Sequence, residues 1–130
     1  MLIKQTIQKW HTFVETGDHK VLNKILASDA VFHSPVLHTP QKGKTLTKMY
    51  LGAAYYVFKD SNFVYKKQIL QDQQAVLEFE TAIDGIVING VDIIECNDDG
   101  KIIEFKVMLR PLQGLQKLQQ KMLEMLEKAQ

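Results

Sequence analysis

Apolar residues first recur at helical spacing. Ile3, Ile7, Trp10 and Val14 form one stripe, widened by Phe13, and predict an amphipathic N-terminal helix. Gly17 is placed to end that helix and Asp18 to cap the next. The second helix is short, with Val21, Leu22, Ile25 and Leu26 on its buried side and Ser28-Asp29 as the break. Ala30 to Ser34 reads as a brief strand stopped by Pro35. Pro35 to Gly43 contains two prolines and a glycine, which predicts a loop at the rim of a pocket. A third helix runs from Thr45 to about Phe58, with Leu46, Met49, Tyr50, Ala53, Ala54 and Val57 on one face.

After Asp60 the period changes from helical to alternating. Phe63, Tyr65 and Ile69 alternate with polar neighbours, and Gln71-Asp72-Gln73-Gln74 is a polar break. Leu77, Phe79, Thr81 and Ile83 share one side of the next strand, and Asp84-Gly85 marks a hairpin. Asn89-Gly90 resembles a second turn, but the strand beyond it is too well patterned to start there, so it reads as a bulge inside one long strand. Val91 to Pro111 then forms two strands joined at Asn97-Asp98-Asp99-Gly100, where Gly100 supplies the positive φ that a tight turn requires. Pro111 suits the first turn of a closing helix whose stripe is Leu115, Leu118, Met122, Met125, Leu126 and Ala129.

Helices followed by a strand meander and a last helix predict one α+β domain over residues 1–130, with helices packed on one face of an antiparallel sheet. A curved sheet closed by helices leaves a conical cavity whose floor is the inner face of the sheet. At 130 residues the chain is large enough for a real core. Sixteen basic and fifteen acidic residues nearly cancel, which removes the electrostatic case for nucleic acid or an anionic membrane as partner. One cysteine forms no internal disulfide, and no apolar run approaches the roughly 20 residues of a membrane span. With no hydrophobic leader run, the expectation is a cytoplasmic protein.

Asp92 is the strongest chemical signal. It shares a strand face with Ile94 and Cys96, and a carboxylate on an apolar face is costly unless paired, protonated or working. It reads either as a pocket acid, base or nucleophile, or as a structural aspartate bonded to Trp10 N–H, His33 or a backbone amide. His33 reads either as a general acid–base or as a hydrogen-bonded histidine at the sheet edge. Because neighbouring strand residues face opposite sides, His33 and Ser34 do not both line the cone. Trp10 and Phe13 belong to the cone wall, Tyr50 faces inward with Met49, and Ile94 flanks Asp92. Arg110 reads as a clamp for an anionic group or as a partner of Glu104. The other histidines lack metal-binding spacing, and Cys96 reads as a small core residue, so neither a metal nor a cofactor is expected.

Four landmarks together resemble the nuclear-transport-factor-2-like superfamily, which includes ketosteroid isomerases and SnoaL-like polyketide cyclases. They are Thr16-Gly17-Asp18, Asp29 to Pro35, Gly43 before the third helix, and Gly90-Val91-Asp92 running into Asp99-Gly100-Lys101-Ile102. The resemblance implies a cone-shaped domain with an extra C-terminal helix, and commonly a homodimer paired through the outer sheet face. Ketosteroid isomerases use a tyrosine, a carboxylate base and a protonated aspartic acid. Those positions fall on Trp10, Ser34 and Asp92, so one of the three matches, and serine without a partner is too weak a base. The expectation is a pocket for a small, mostly apolar molecule. It serves either a cofactor-independent isomerase, cyclase or hydrolase, with Asp92 as acid or base and His33 as assistant, or a ligand-binding or dimerisation module without chemistry.

Overall fold

In a computed structural model the structure describes residues 2–128, so Met1 and the predicted stripe position Ala129 lie outside the described residues. Helices α1 (Leu2–Thr16) and α2 (His19–Ile25) lead into β1 (Leu26–His33), β2 (Gln41–Lys42) and α3 (Lys44–Phe58). Strands β3 (Val64–Gln71), β4 (Gln74–Ile83), β5 (Ile86–Cys96) and β6 (Ile102–Arg110) follow, then α4 (Leu112–Lys128). The strands form one curved, unclosed six-stranded sheet in the order β2-β1-β6-β5-β4-β3. Strand β1 runs parallel to β6, so the sheet is mixed rather than wholly antiparallel.

The predicted stripe of α1 is the buried one. Ile3, Ile7, Trp10 and Phe13 are all in the core, and each large apolar side chain removed from water contributes about 1.5–3 kcal/mol. Thr6 Oγ1, 2.5 Å from Gly100 O, ties the same helix to the β5–β6 turn. Gly17 closes α1 at φ +69°, its N–H donating to Phe13 O at 2.7 Å, and Tyr55 occupies the space where a side chain would stand. Asp18 Oδ1 accepts from Lys20 N at 2.9 Å and caps α2, as its sequence position predicts.

Five local expectations are corrected. Leu26 belongs to β1 rather than to α2, and Gln41–Lys42, read as loop, adds a short antiparallel strand to β1. Strand β1 breaks alternation because its pairing with β6 shifts register between Leu26 and Val31, which hid its first half. Asn89-Gly90 is not a bulge: β5 pairs with β4 without interruption from Ile83↔Ile86 to Gln74↔Glu95. The bulge lies in β3, between Tyr65 and Lys67. It reverses the phase of the strand, turning Leu70 inward and leaving Ile69 54% exposed. On α3 the buried residues are Thr47, Leu51, Gly52 and Ala53, whereas Leu46 and Met49 are exposed.

Candidate functional site

The inner face of the sheet, α1, α3 and α4 enclose a cavity of about 740 Å³. Its wall is chiefly apolar and aromatic, with Phe32 stacked on Tyr50 at 5.4 Å between ring centroids. Helix α4 covers one side through Leu118 and Met122. The helix is moored by Gly114 against Ile88 and by Lys117 and Lys121, which place their ammonium groups 3.3 and 3.4 Å from Asp84 Oδ2. Burial therefore places α4 on its own cone.

Asp92 lies at the floor. Alternation along β5 turns Ile88, Gly90, Asp92, Ile94 and Cys96 inward, and Asp92 is only 5% exposed. Its partner is Tyr65, whose Oη donates to Asp92 Oδ2 at 2.7 Å and accepts from Trp10 Nε1 at 2.9 Å. Trp10 therefore serves Asp92 through Tyr65 rather than by a direct bond. This is the only side-chain hydrogen bond to Asp92 among the described residues, so one carboxyl oxygen is tied and the group still lines the cavity.

Burial and a hydrogen bond act on this carboxyl in opposite directions. Desolvation raises its pKa to about 7, against a smaller opposing contribution from the Tyr65 hydrogen bond. Burial holds the Tyr65 phenol well above its ordinary value, and the neighbouring Asp92 charge pushes in the same direction. At neutral pH the site thus presents a neutral phenol beside a carboxyl that exchanges readily between its two forms.

Gly90 shapes this arrangement without touching the carboxyl. It pairs with Phe79 on one side and Leu109 on the other. A Cβ there would fall inside contact distance of Phe79 Cζ and Leu109 Cδ2. The missing side chain lets the Phe79 ring lie over β5, next to Tyr65 in the cavity wall.

Trp10, Phe13, Ser34, Tyr50 and Asp92 all line the cavity. Ile94 does not: it is fully buried in the core beside α1. His33 is turned away. Strand alternation sends it to the outer face, where its Nε2 stands 3.5 Å from Glu104 Oε1, so it is not brought to Asp92. Glu104 also takes Lys106 at 3.8 Å, and no ion pair to Arg110 forms among the described residues. Ser34 Oγ accepts from Val36 N at 3.2 Å, which leaves its hydroxyl proton available to the cavity. Tyr65 is the residue that sequence reasoning missed. The available signal was a tyrosine on the inward phase of a strand, because a buried phenol needs a hydrogen-bond partner. Among the described residues no cluster of histidine, cysteine or carboxylate side chains has metal-binding geometry.

The SnoaL-like domain family matches residues 7–105. Among solved structures, a steroid delta-isomerase from Pseudomonas aeruginosa superposes with a TM-score of 0.92 at 34% identity, over 98% of this chain and 93% of that one. An uncharacterised bacterial protein with a cystatin-like fold from Silicibacter pomeroyi gives 0.84 at 28% identity, over 92% and 83%. The epoxide hydrolase/cyclase-like enzyme SalBIII, of pyran ring formation in salinomycin, gives 0.67 at 14% identity over 82% and 89%, a likeness of fold alone. No curated protein matches the chain.

Proposed function

This chain belongs to the SnoaL-like family, and from that premise we propose that its cone binds a small, mostly apolar carbonyl compound on which Asp92 moves a proton. The observation that carries the reading is a buried carboxyl, held by one oxygen and titrating near neutrality, on the floor of a large apolar cavity. Ionised Asp92 takes a proton from carbon beside the carbonyl. The electron pair moves into the enolate, and the neutral acid then returns the proton at the same or a conjugated carbon. No cofactor enters this balance. The Tyr65–Trp10 chain fixes the orientation of the carboxyl, while hydroxyl groups such as that of Ser34 are available to the developing oxyanion.

Similarity to a steroid delta-isomerase supports proton transfer as the reaction type. Ser34, where the resembling isomerases carry their base, supports a competing reading, in which the cone only binds its ligand. The family reading also carries a homodimer paired through the outer sheet face, where Val87 and Met108 are exposed. Sedimentation at micromolar concentration tests that expectation.

The deciding experiment incubates the protein with apolar enolisable ketones in D2O and follows deuterium uptake by mass spectrometry. Uptake that is lost in Asp92→Asn supports catalysis. Saturable ligand binding without uptake leaves the binding module, and neither binding nor uptake defeats the proposal.

A further inference from the structure

Outside the cone, α2, α3 and the C-terminal part of α4 border a second concavity of about 660 Å³. Among the described residues, every formally charged side chain on its wall is basic: Lys44, Lys48 and Lys128, joined by His19. None of these lysines forms an ion pair among the described residues, and Lys48 Nζ has only Asn23 Oδ1 at 3.5 Å. The floor is apolar. Met49 and Tyr56, 42% and 45% exposed, lie in it beside Ala53 and Leu126. Gly52 lets the His19 ring rest on α3, since a Cβ there would stand 3.0 Å from His19 Cε1. Leu126 lines both this groove and the cone, so one side chain separates two cavities of opposite character.

We propose that this groove is a second ligand site, for a single-chain amphiphile with an anionic head, its head among Lys44, Lys48 and Lys128 and its chain on Met49, Ala53, Tyr56 and Leu126. The floor recruits an alkyl chain by removing apolar area from water. The rim attracts an anion because, among the described residues, no carboxylate on its wall neutralises it. Lysine ammonium groups are point charges without the planar fork of arginine, so the rim reads charge rather than head-group geometry. A recess between helices fits one chain better than the flat face of a bilayer. The two recesses therefore differ in charge: the groove presents lysines, whereas the cone presents Asp92, Glu15 and Asp60 beside Lys59.

The test titrates the full chain with decanoate, decyl sulfate, decanol and acetate below micellar concentrations, reading methyl and backbone NMR shifts. Decanoate and decyl sulfate are expected to shift Met49, Ala53 and Leu126, and to bind about tenfold more tightly than decanol, as a few exposed ion pairs allow. Acetate, which lacks the chain, should bind far more weakly. The preference for the anion should vanish in Lys44→Gln/Lys48→Gln, whose circular dichroism should match that of the parent. Equal affinity for decanol and decanoate overturns the proposal, as do shifts confined to cone residues such as Phe32, or binding to phosphatidylglycerol vesicles without binding of decanoate. Failure here leaves the deuterium-uptake experiment on Asp92 untouched.

Discussion

Tyr65 on β3 donates to Asp92 on β5 across the whole width of β4. The pair is directed: phenol to carboxylate at 2.7 Å, with Trp10 indole to phenol behind it at 2.9 Å. It anchors one oxygen of a carboxyl that burial would otherwise leave without a partner. The tyrosine thus limits how far desolvation raises the Asp92 pKa.

Tyr65→Phe removes that donor and is expected to move Asp92 further up, above about 7, because the lost hydrogen bond favours the ionised form. Carbon-13 titration of the carboxyl reads the shift. Trp10 Nε1 loses its acceptor in the same variant, which should cost about 1–3 kcal/mol in urea unfolding.

Asp92 also makes stability depend on pH. Its folded pKa stands at about 7 against an ordinary 3.8. Between those values the unfolded chain gives up a proton that the folded chain retains, so stability falls as pH rises through this window and levels off above it. The total loss is on the order of 4 kcal/mol. Asp92→Asn cannot ionise, and its unfolding free energy should lack this slope when measured between about pH 5 and pH 8. A parallel slope in the two proteins would show that Asp92 titrates normally.

Deuterium uptake by a bound ketone has the opposite dependence. The base form is required, so the rate should climb as pH rises through about 7 and then level off. A rate that falls across the same range would assign Asp92 the role of acid only.

Gly90→Ala places a methyl group against Phe79 and Leu109. It should destabilise by about 1–3 kcal/mol in thermal or chemical unfolding, and should shift the aromatic resonances of Phe79 and Tyr65. Leu109 is the more yielding neighbour, being the end of a flexible side chain; a neutral substitution would mean that it alone moves.

His33→Gln tests the opposite side of the sheet. Its contact with Glu104 is half exposed and lies on the opposite face of the sheet from the cavity, so ligand affinity and the pH dependence of Asp92 should both be unchanged. Any change in the Asp92 titration would contradict the outward placement of His33.

Where burial followed a simple period, sequence and structure agree. The stripe of α1 and the alternation of β4 and β5 identify the core, and the same alternation exposes Asp92 as a charge on an apolar face. Features that broke the period were misread. Strand β1 pairs irregularly with β6, so Leu26 passes for the end of a helix. Helix α3 buries Thr47 and Gly52, which an apolar count overlooks, and exposes Met49 over the basic groove. Tyr65 was missed for another reason. Its partner lies two strands away, a relation that spacing along one strand does not encode.

The bulge in β3 gives that strand a register key. Before it, Tyr65 faces inward opposite Phe79; after it, Leu70 faces inward opposite Ala75. A uniform strand could slide along β4 by two residues and keep the same faces buried. This one cannot, because the phase reversal has one position at which both halves fit. The irregularity that obscures the strand in the sequence thus keeps the phenol in line with a carboxyl two strands away.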